Sequence, residues 1–172
     1  MKNKAILAAA AILMFSACGQ TKKEVDQNDP WNQVEAIRAQ IKAPEFKDQD
    51  FLITDFGASA DSTKLSTEAF AKAIQACHDN GGGRVVVPKG TFLRGGIHLK
   101  SNVNLHLEDG AKILFSRNPD DFLPLVFTRW EGMELMNYSP LIYAYEQENI
   151  AITGNGILDG NANEQYWWPW KG

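Results

Sequence analysis

The chain predicts an all-β solenoid, a parallel β-helix with one capping helix at its start, and three observations carry that reading. Beyond residue 84 helical periodicity disappears, and short apolar segments recur between glycines and asparagines, at 85–87, 92–93, 97–99, 103–107, 113–115 and 150–152. Asn102-Val103-Asn104-Leu105 and Asn149-Ile150-Ala151-Ile152 share an Asn-apolar-x-apolar pattern 47 residues apart, close to twice a solenoid turn of about 20 to 25 residues. Residues 51–90 place an apolar strand, the tight turn Asp55-Phe56-Gly57-Ala58, an amphipathic helix, Gly81-Gly82-Gly83 and the strand Val85-Val86-Val87-Pro88 one after another, so that a helix is laid across the start of a sheet. Strands this short with connections this frequent favour the solenoid over a β-sandwich, whose strands run longer.

At 172 residues, 44% hydrophobic and 22% charged, the chain has material for one core and no mark of disorder. Its first segment stands apart. Lys2 and Lys4 precede an apolar run over residues 5–17 that is too short to span a bilayer, the pattern of an export signal. The run ends Phe15-Ser16-Ala17-Cys18-Gly19, which resembles the lipobox of bacterial lipoproteins and makes Cys18 the expected lipidated first residue; an ordinary cleavable signal with an incidental cysteine is the alternative. Residues 18–28 then form a polar tether to a membrane surface, and Lys22-Lys23 beside the anchor points to the periplasmic side of the outer membrane rather than the cell surface. Removal of residues 1–17 takes away two lysines and no acid, leaving 15 basic against 21 acidic residues, net −6, which excludes a nucleic-acid footprint.

The elements follow in order. Asp29-Pro30 reads as an N-cap with proline at the first helical position, and Trp31, Val34, Ile37 and Ile41 repeat at helical spacing until Ala43-Pro44 ends the helix; residues 29–49 are thus a helix and linker. Phe51-Leu52-Ile53 reads as a short buried strand. Ser66 offers an N-cap, and Phe70, Ala73, Ile74 and Cys77 form the apolar stripe of a second helix that Asn80-Gly81 stops. Cys77 reads as a small buried apolar residue, since its neighbour His78 points about 100° away around the helix and cannot activate it. His98 and His106 lie in strands without partners at metal-ligand spacing, so neither a metal nor a cofactor is expected.

Two clusters are candidates for contact with a ligand. Arg129, Trp130 and Glu131 lie in a long excursion that continues through Tyr138, Tyr143 and Tyr145; arginine can grip a carboxylate in a bidentate manner and tryptophan can stack on a ring face. The structural alternative has Trp130 plugging the loop and Arg129 pairing with an acid. Tyr166-Trp167-Trp168, with Trp170, is the second cluster, and packing against the earlier turns is the favoured reading there.

Taken together, Asp55-Phe56-Gly57-Ala58, Gly81-Gly82-Gly83-Arg84-Val85-Val86-Val87-Pro88, Gly90-Thr91-Phe92, Ile152-Thr153-Gly154-Asn155-Gly156, Leu158-Asp159-Gly160 and Trp167-Trp168 resemble glycoside hydrolase family 28, the polygalacturonases and rhamnogalacturonan hydrolases of pectin breakdown. The resemblance covers residues 50–172 and implies the N-terminal cap and first few turns of a right-handed, pectin lyase-like parallel β-helix. It implies inverting hydrolysis of an α-galacturonide bond, with a pectic polysaccharide or oligogalacturonide as partner and no cofactor. The family's Gly-His-Gly and Arg-x-Lys occur nowhere in the chain. Asp120-Asp121 follows Asn118-Pro119 and precedes the Trp-Trp segment, the reverse of the family's order, and reads as a solvated turn; Asp159 reads as a turn-stabilising side chain. No catalytic residue is therefore assigned in this chain, which is expected to be the inactive front end of a longer hydrolase. A β-helix polysaccharide lyase and a non-catalytic polysaccharide-binding module remain the alternatives.

Overall fold

Strands of two to five residues return again and again to lie beside the strand one turn earlier, and every such pairing is parallel. The computed structural model describes residues 29–171; the expected signal, the tether and the lipidation site Cys18 fall outside the described residues. The chain divides into two units, Met1–Lys42 and Ala43–Gly172.

In the first unit Asp29 accepts a hydrogen bond from the Trp31 amide at 3.0 Å and opens a 3-10 turn, Pro30–Gln33, followed by helix α1, Val34–Gln40, as the cap and proline predict. In the second unit, β1 (Asp50–Leu52) leads through a 3-10 turn, Ile53–Phe56, into left-handed Gly57 and on to α2 (Thr67–Asp79). The expected strand 51–53 lies one residue earlier and is less buried than foreseen: Leu52 is exposed, and only Ile53, already in the turn, is fully buried. Three rungs of coil follow, built from β2 (Gly83–Val87), β3 (Gly90–Arg94) and β4 (Ile97–His98); β5 (Val103–Leu107), β6 (Ala111–Phe115) and β9 (Ile142–Tyr143); and β10 (Ala151–Gly154) with β11 (Ile157–Asp159). Between β6 and β9 an excursion carries the antiparallel hairpin of β7 (Val126–Trp130) and β8 (Met133–Asn137).

One sheet runs β1-β2-β5-β10, a second β3-β6-β11, and a third pairs β4 with β9. This is the right-handed parallel β-helix the sequence predicts. The registers stack like on like: Val85 beside Leu105, Phe92 beside Ile113, Ile97 beside Ile142. These inward residues, Ile142 apart, are fully buried and join Phe70, Ile74 and Cys77 of α2, which covers the first rung with the Phe70 ring 6.3 Å from that of Phe92 in an edge-to-face contact. Burial pushes the Cys77 thiol up to about 11, so it stays protonated and inert, as its apolar reading requires.

Two expectations are corrected. The 47 residues between the Asn-apolar-x-apolar segments are one turn, not two: β10 pairs directly with β5, whereas β5 follows β2 by 20 residues, and the difference is the inserted excursion. Ser66 occupies the N-cap position without capping; its hydroxyl instead joins the backbone of Ser59, accepting from the amide at 3.2 Å and donating to the carbonyl at 3.3 Å. Thr67 is also turned away from the helix, accepting from the Gly95 amide at 2.8 Å and tying α2 to the corner after β3.

The two asparagines have a common task. Asn102 and Asn149 both take positive φ, 66° and 52°, at the same corner of successive turns, and the Asn149 amide donates to the Asn102 side-chain oxygen at 2.9 Å and to the Glu45 carbonyl at 2.8 Å. Asparagine tolerates that conformation better than other residues with a Cβ, so the repeat seen in sequence is a stacked corner ladder.

An acid-sensitive link joins the second and third rungs. Lys112 Nζ lies 2.6 Å from the Asp159 carboxylate, which also accepts from the Asn161 amide at 2.8 Å, and these contacts hold the Asp159 carboxyl below its ordinary value. A carboxyl lowered on folding adds stability that is complete above about pH 4 and is lost as pH falls through the lowered value. Asp159→Asn is therefore expected to cost up to about 1 kcal/mol at neutral pH, since both side chains are a third exposed. Urea unfolding at a series of pH values should show the gap from the parent chain closing below about pH 4.

Candidate functional site

A coil built this way has smooth sides, so concave surface arises only where a corner is lengthened. The long corner here begins at Ser116 and returns at Leu141, and its two ends are clasped: the Ser139 amide donates to the Phe122 carbonyl at 3.0 Å, and the Tyr143 hydroxyl donates to the Phe127 carbonyl at 2.7 Å. Phe127 also meets Tyr145 edge to face at 5.2 Å. The hairpin turns through Glu131 and Gly132, with φ of 47° and 90°, the pair of positive values a two-residue β-turn needs to match the strand twist.

Beside the clasp lies a cleft of about 580 Å³. One wall is the base of the excursion, with Arg117, Tyr138 and Leu141; the other is the segment after β11, with Asn161, Tyr166 and Trp167. The Arg117 guanidinium stacks 4.4 Å over the Tyr166 ring while its Nε donates to the Asn161 carbonyl at 2.9 Å, and the Asn161 amide group donates to the Phe115 carbonyl at 3.0 Å. Asn161 has a φ of 60°, so a left-handed asparagine again fixes the corner, and through it the arginine. The result is a concave surface with aromatic faces and one oriented cation, suited to a sugar ring bearing a carboxylate.

The predicted residues are divided by this geometry. Arg129, Trp130 and Glu131 sit at the hairpin tip, across from Glu134 and Met133, with Trp130 64% exposed, and none of the three lines the cleft. The plug alternative fails, because a tryptophan that exposed closes no loop. Tyr166 packs under Arg117 of the preceding turn, while Tyr166, Trp167 and Trp168 each remain about half exposed, and Tyr166 and Trp167 face the cleft. Arg117 carries no signal in the sequence, and Tyr138 stands out only as part of the excursion; both meet Tyr166 through the ladder that sets β11 beside β6.

Two carboxylates near the site, those of Asp121 and Asp159, are engaged in local structure. Asn118 caps a 3-10 turn, Pro119–Phe122, accepting from the Asp120 amide at 3.2 Å, and the Asp121 carboxylate accepts from the Ser116 hydroxyl. Asp159, its carboxyl lowered by Lys112 and the Asn161 amide, holds no proton to give at neutral pH and cannot serve as a general acid. His98 donates to or accepts from the Ser139 hydroxyl at 2.9 Å, and burial, with Arg94 and Lys100 nearby, holds its pKa below the ordinary value. His106 meets the Thr153 hydroxyl at 2.8 Å. Among the described residues no group of three His, Cys, Asp or Glu could hold a metal ion.

No family model matches the chain. Individual proteins do. An exo-poly-α-D-galacturonosidase of Dickeya chrysanthemi is 38% identical over 117 residues, 63% of this chain and 19% of that protein. A polygalacturonase of Ralstonia solanacearum is 29% identical over 95% of this chain and 35% of its own length. Among solved structures, a hyperthermoactive exopolygalacturonase from Thermotoga maritima superposes with a TM-score of 0.76 and 47% identity, covering 82% of this chain and 31% of that one. A family 28 exopolygalacturonase of Yersinia enterocolitica gives 0.60 and 37%, over 67% of this chain and 21% of its own. The chain thus spans about a fifth to a third of the length of these relatives.

The clasp can be tested on the chain as it stands. Tyr143→Phe is expected to cost about 1 kcal/mol, the net worth of one hydrogen bond to a backbone carbonyl, and to speed hydrogen exchange at the β7 and β8 amides while leaving those of β2 and β5 unchanged. Uniform acceleration across all four strands would mean that the hairpin is not separately held.

Proposed function

We propose that this chain, which belongs to glycoside hydrolase family 28, forms the N-terminal part of an exported enzyme that hydrolyses α-galacturonide linkages in pectin. The observation that carries the proposal is the 47% identity, over 82% of the chain, to the Thermotoga maritima exopolygalacturonase. Exo action is favoured because the names of three relatives specify it.

Inverting cleavage needs a protonated carboxyl on one side of the bond and a carboxylate that activates water on the other, about 6.5 to 9.5 Å apart. The Asp121 carboxylate is taken up by the Ser116 hydroxyl and that of Asp159 by Lys112, and Asp120 lies in the capped 3-10 turn, so the acid and base are assigned to turns of the coil outside this chain. What this chain contributes is binding. The Arg117 guanidinium, held flat on Tyr166, pairs with a uronate carboxylate, and Trp167 supplies a stacking face. Arg129 and Trp130, on the exposed hairpin tip, reach a more distant part of the polymer.

The N-terminal segment supports export and anchoring: Lys2, Lys4, the apolar run and Cys18 fit a lipidated protein on the periplasmic side of the outer membrane. Among the described residues no helix is long and apolar enough to cross a membrane.

Incubation of the whole enzyme with polygalacturonic acid decides the reaction. Saturated products with new reducing ends, released as mono- or digalacturonate, are expected; the absorbance of an unsaturated uronate would establish elimination and overturn hydrolysis. The present chain alone is expected to release no product yet to bind oligogalacturonides, with Trp167→Ala or Arg117→Ala weakening binding by about tenfold, or 1.4 kcal/mol. Equal affinity in both variants would remove the cleft from substrate recognition.

A further inference from the structure

Arg94, the last residue of β3, is the largest fully buried side chain among the described residues, at 1% exposure. Its Nε donates to the Gly95 carbonyl at 3.0 Å, its Nη2 donates to the Gly96 carbonyl, and the guanidinium lies 4.5 Å over the Phe70 ring. Its Nη1 is buried with no hydrogen-bond partner, and no carboxylate pairs with it in any ion pair among the described residues. A guanidinium does not shed its charge as a buried carboxyl or amine does. Carbonyls and an aromatic face satisfy it in part, but a buried unpaired cation still costs heavily.

Arg94 lines a second cavity, of about 290 Å³, set between the start of α2 and the neck of the excursion. Thr67, His98, Lys100 and Ser139 line it as well. Its single acidic neighbour is Asp121, whose carboxylate is taken up by the Ser116 hydroxyl, so three cationic or ionisable nitrogen side chains face the space against one engaged carboxylate. A water molecule there could accept from Nη1 but could not balance its charge.

We propose that this cavity binds a small oxyanion, with Arg94 as its buried anchor and Lys100 and His98 at its rim. The shared chemistry is a set of oxygens carrying negative charge, supplied either by a free ion such as inorganic phosphate or by the carboxylate of a sugar acid. The site is distinct from the sugar cleft, which neither Arg94 nor Lys100 lines, although Phe122 and Ser139 form part of both walls.

Titration of the full chain with sodium phosphate, at ionic strength matched with sodium chloride, is expected to give saturable calorimetric binding and a thermal midpoint that rises with phosphate. Lys100→Ala is expected to weaken phosphate binding by about tenfold, and Arg94→Met to abolish it. If Arg94→Met does not fold, the double variant His98→Gln with Lys100→Ala supplies the reading. Trp167→Ala should bind phosphate as the parent does, which separates this site from the substrate cleft. Sodium galacturonate, titrated in parallel, identifies the source: competition with phosphate assigns the site to a sugar carboxylate, and phosphate binding without competition assigns it to a free ion. Absence of saturable binding by either probe, or binding unchanged in the rim variants, overturns the proposal.

Discussion

Each strand of the coil depends for its backbone hydrogen bonds on the strand one turn before it, and parallel pairing allows no tight hairpin between the two. The chain must therefore travel a whole circuit and come back in register, and the corners carry that burden. They are made of residues that accept left-handed angles or leave room for the neighbouring backbone: Asn102, Asn149 and Asn161 among residues with a Cβ, and Gly82 and Gly154 among those without. At Gly154 the demand is absolute in both senses, because φ is +95° and an added Cβ would fall 1.9 Å from the Leu107 carbonyl oxygen. The first rung has no earlier strand over most of its width, and α2 fills that place with Phe70, Ile74 and Cys77. The cap and the corners are two answers to one requirement, that neither apolar core nor strand backbone be left open.

That requirement explains what the sequence discloses. The strands, the capping helix and the Asn-apolar-x-apolar repeat are legible because stacking forces similar residues into similar places on each turn. The period is not legible from spacing, because spacing in sequence measures contour and not height: the same one-rung step takes 20 residues from β2 to β5 and 47 from β5 to β10. The hairpin escaped notice because Glu131-Gly132 is a weaker turn signal than Asn-Gly or Asp-Gly, and Arg129-Trp130 at its end read as a loop. Ser66 shows the limit of capping rules, since a residue in the N-cap position can be claimed by a nearby loop, here the backbone of Ser59.

The candidate cleft was only half legible. Tyr166 and Trp167 were conspicuous as an aromatic cluster, yet their neighbours Arg117 and Tyr138 lie up to about fifty residues earlier, and nothing local marks them as partners. Their meeting depends on β11 lying beside β6, a consequence of the ladder and not of any motif. Arg94 was equally silent: in sequence it is one more charge at a strand end, where a solvated position is the usual outcome, and only the close of β3 beneath α2 shows that it is buried.

The lengthened corner also explains how such a fold can vary its binding surface without disturbing its core. The excursion leaves the coil after β6 and rejoins it before β9, so the β2-β5-β10 sheet runs past it uninterrupted. Its ends are fastened by the backbone bond from Ser139 to Phe122 and by the Tyr143 hydroxyl, neither of which depends on the residues at the hairpin tip. Insertions are inexpensive in conformational entropy when their ends are already held together, because the closure cost grows only slowly with length. Residues that contact a polymer can thus be set on the excursion and on the corner stacked against it. The coil supplies only position, and that division places Arg117 and Tyr166 in one cleft while leaving Val85, Leu105 and Phe92 to hold the scaffold.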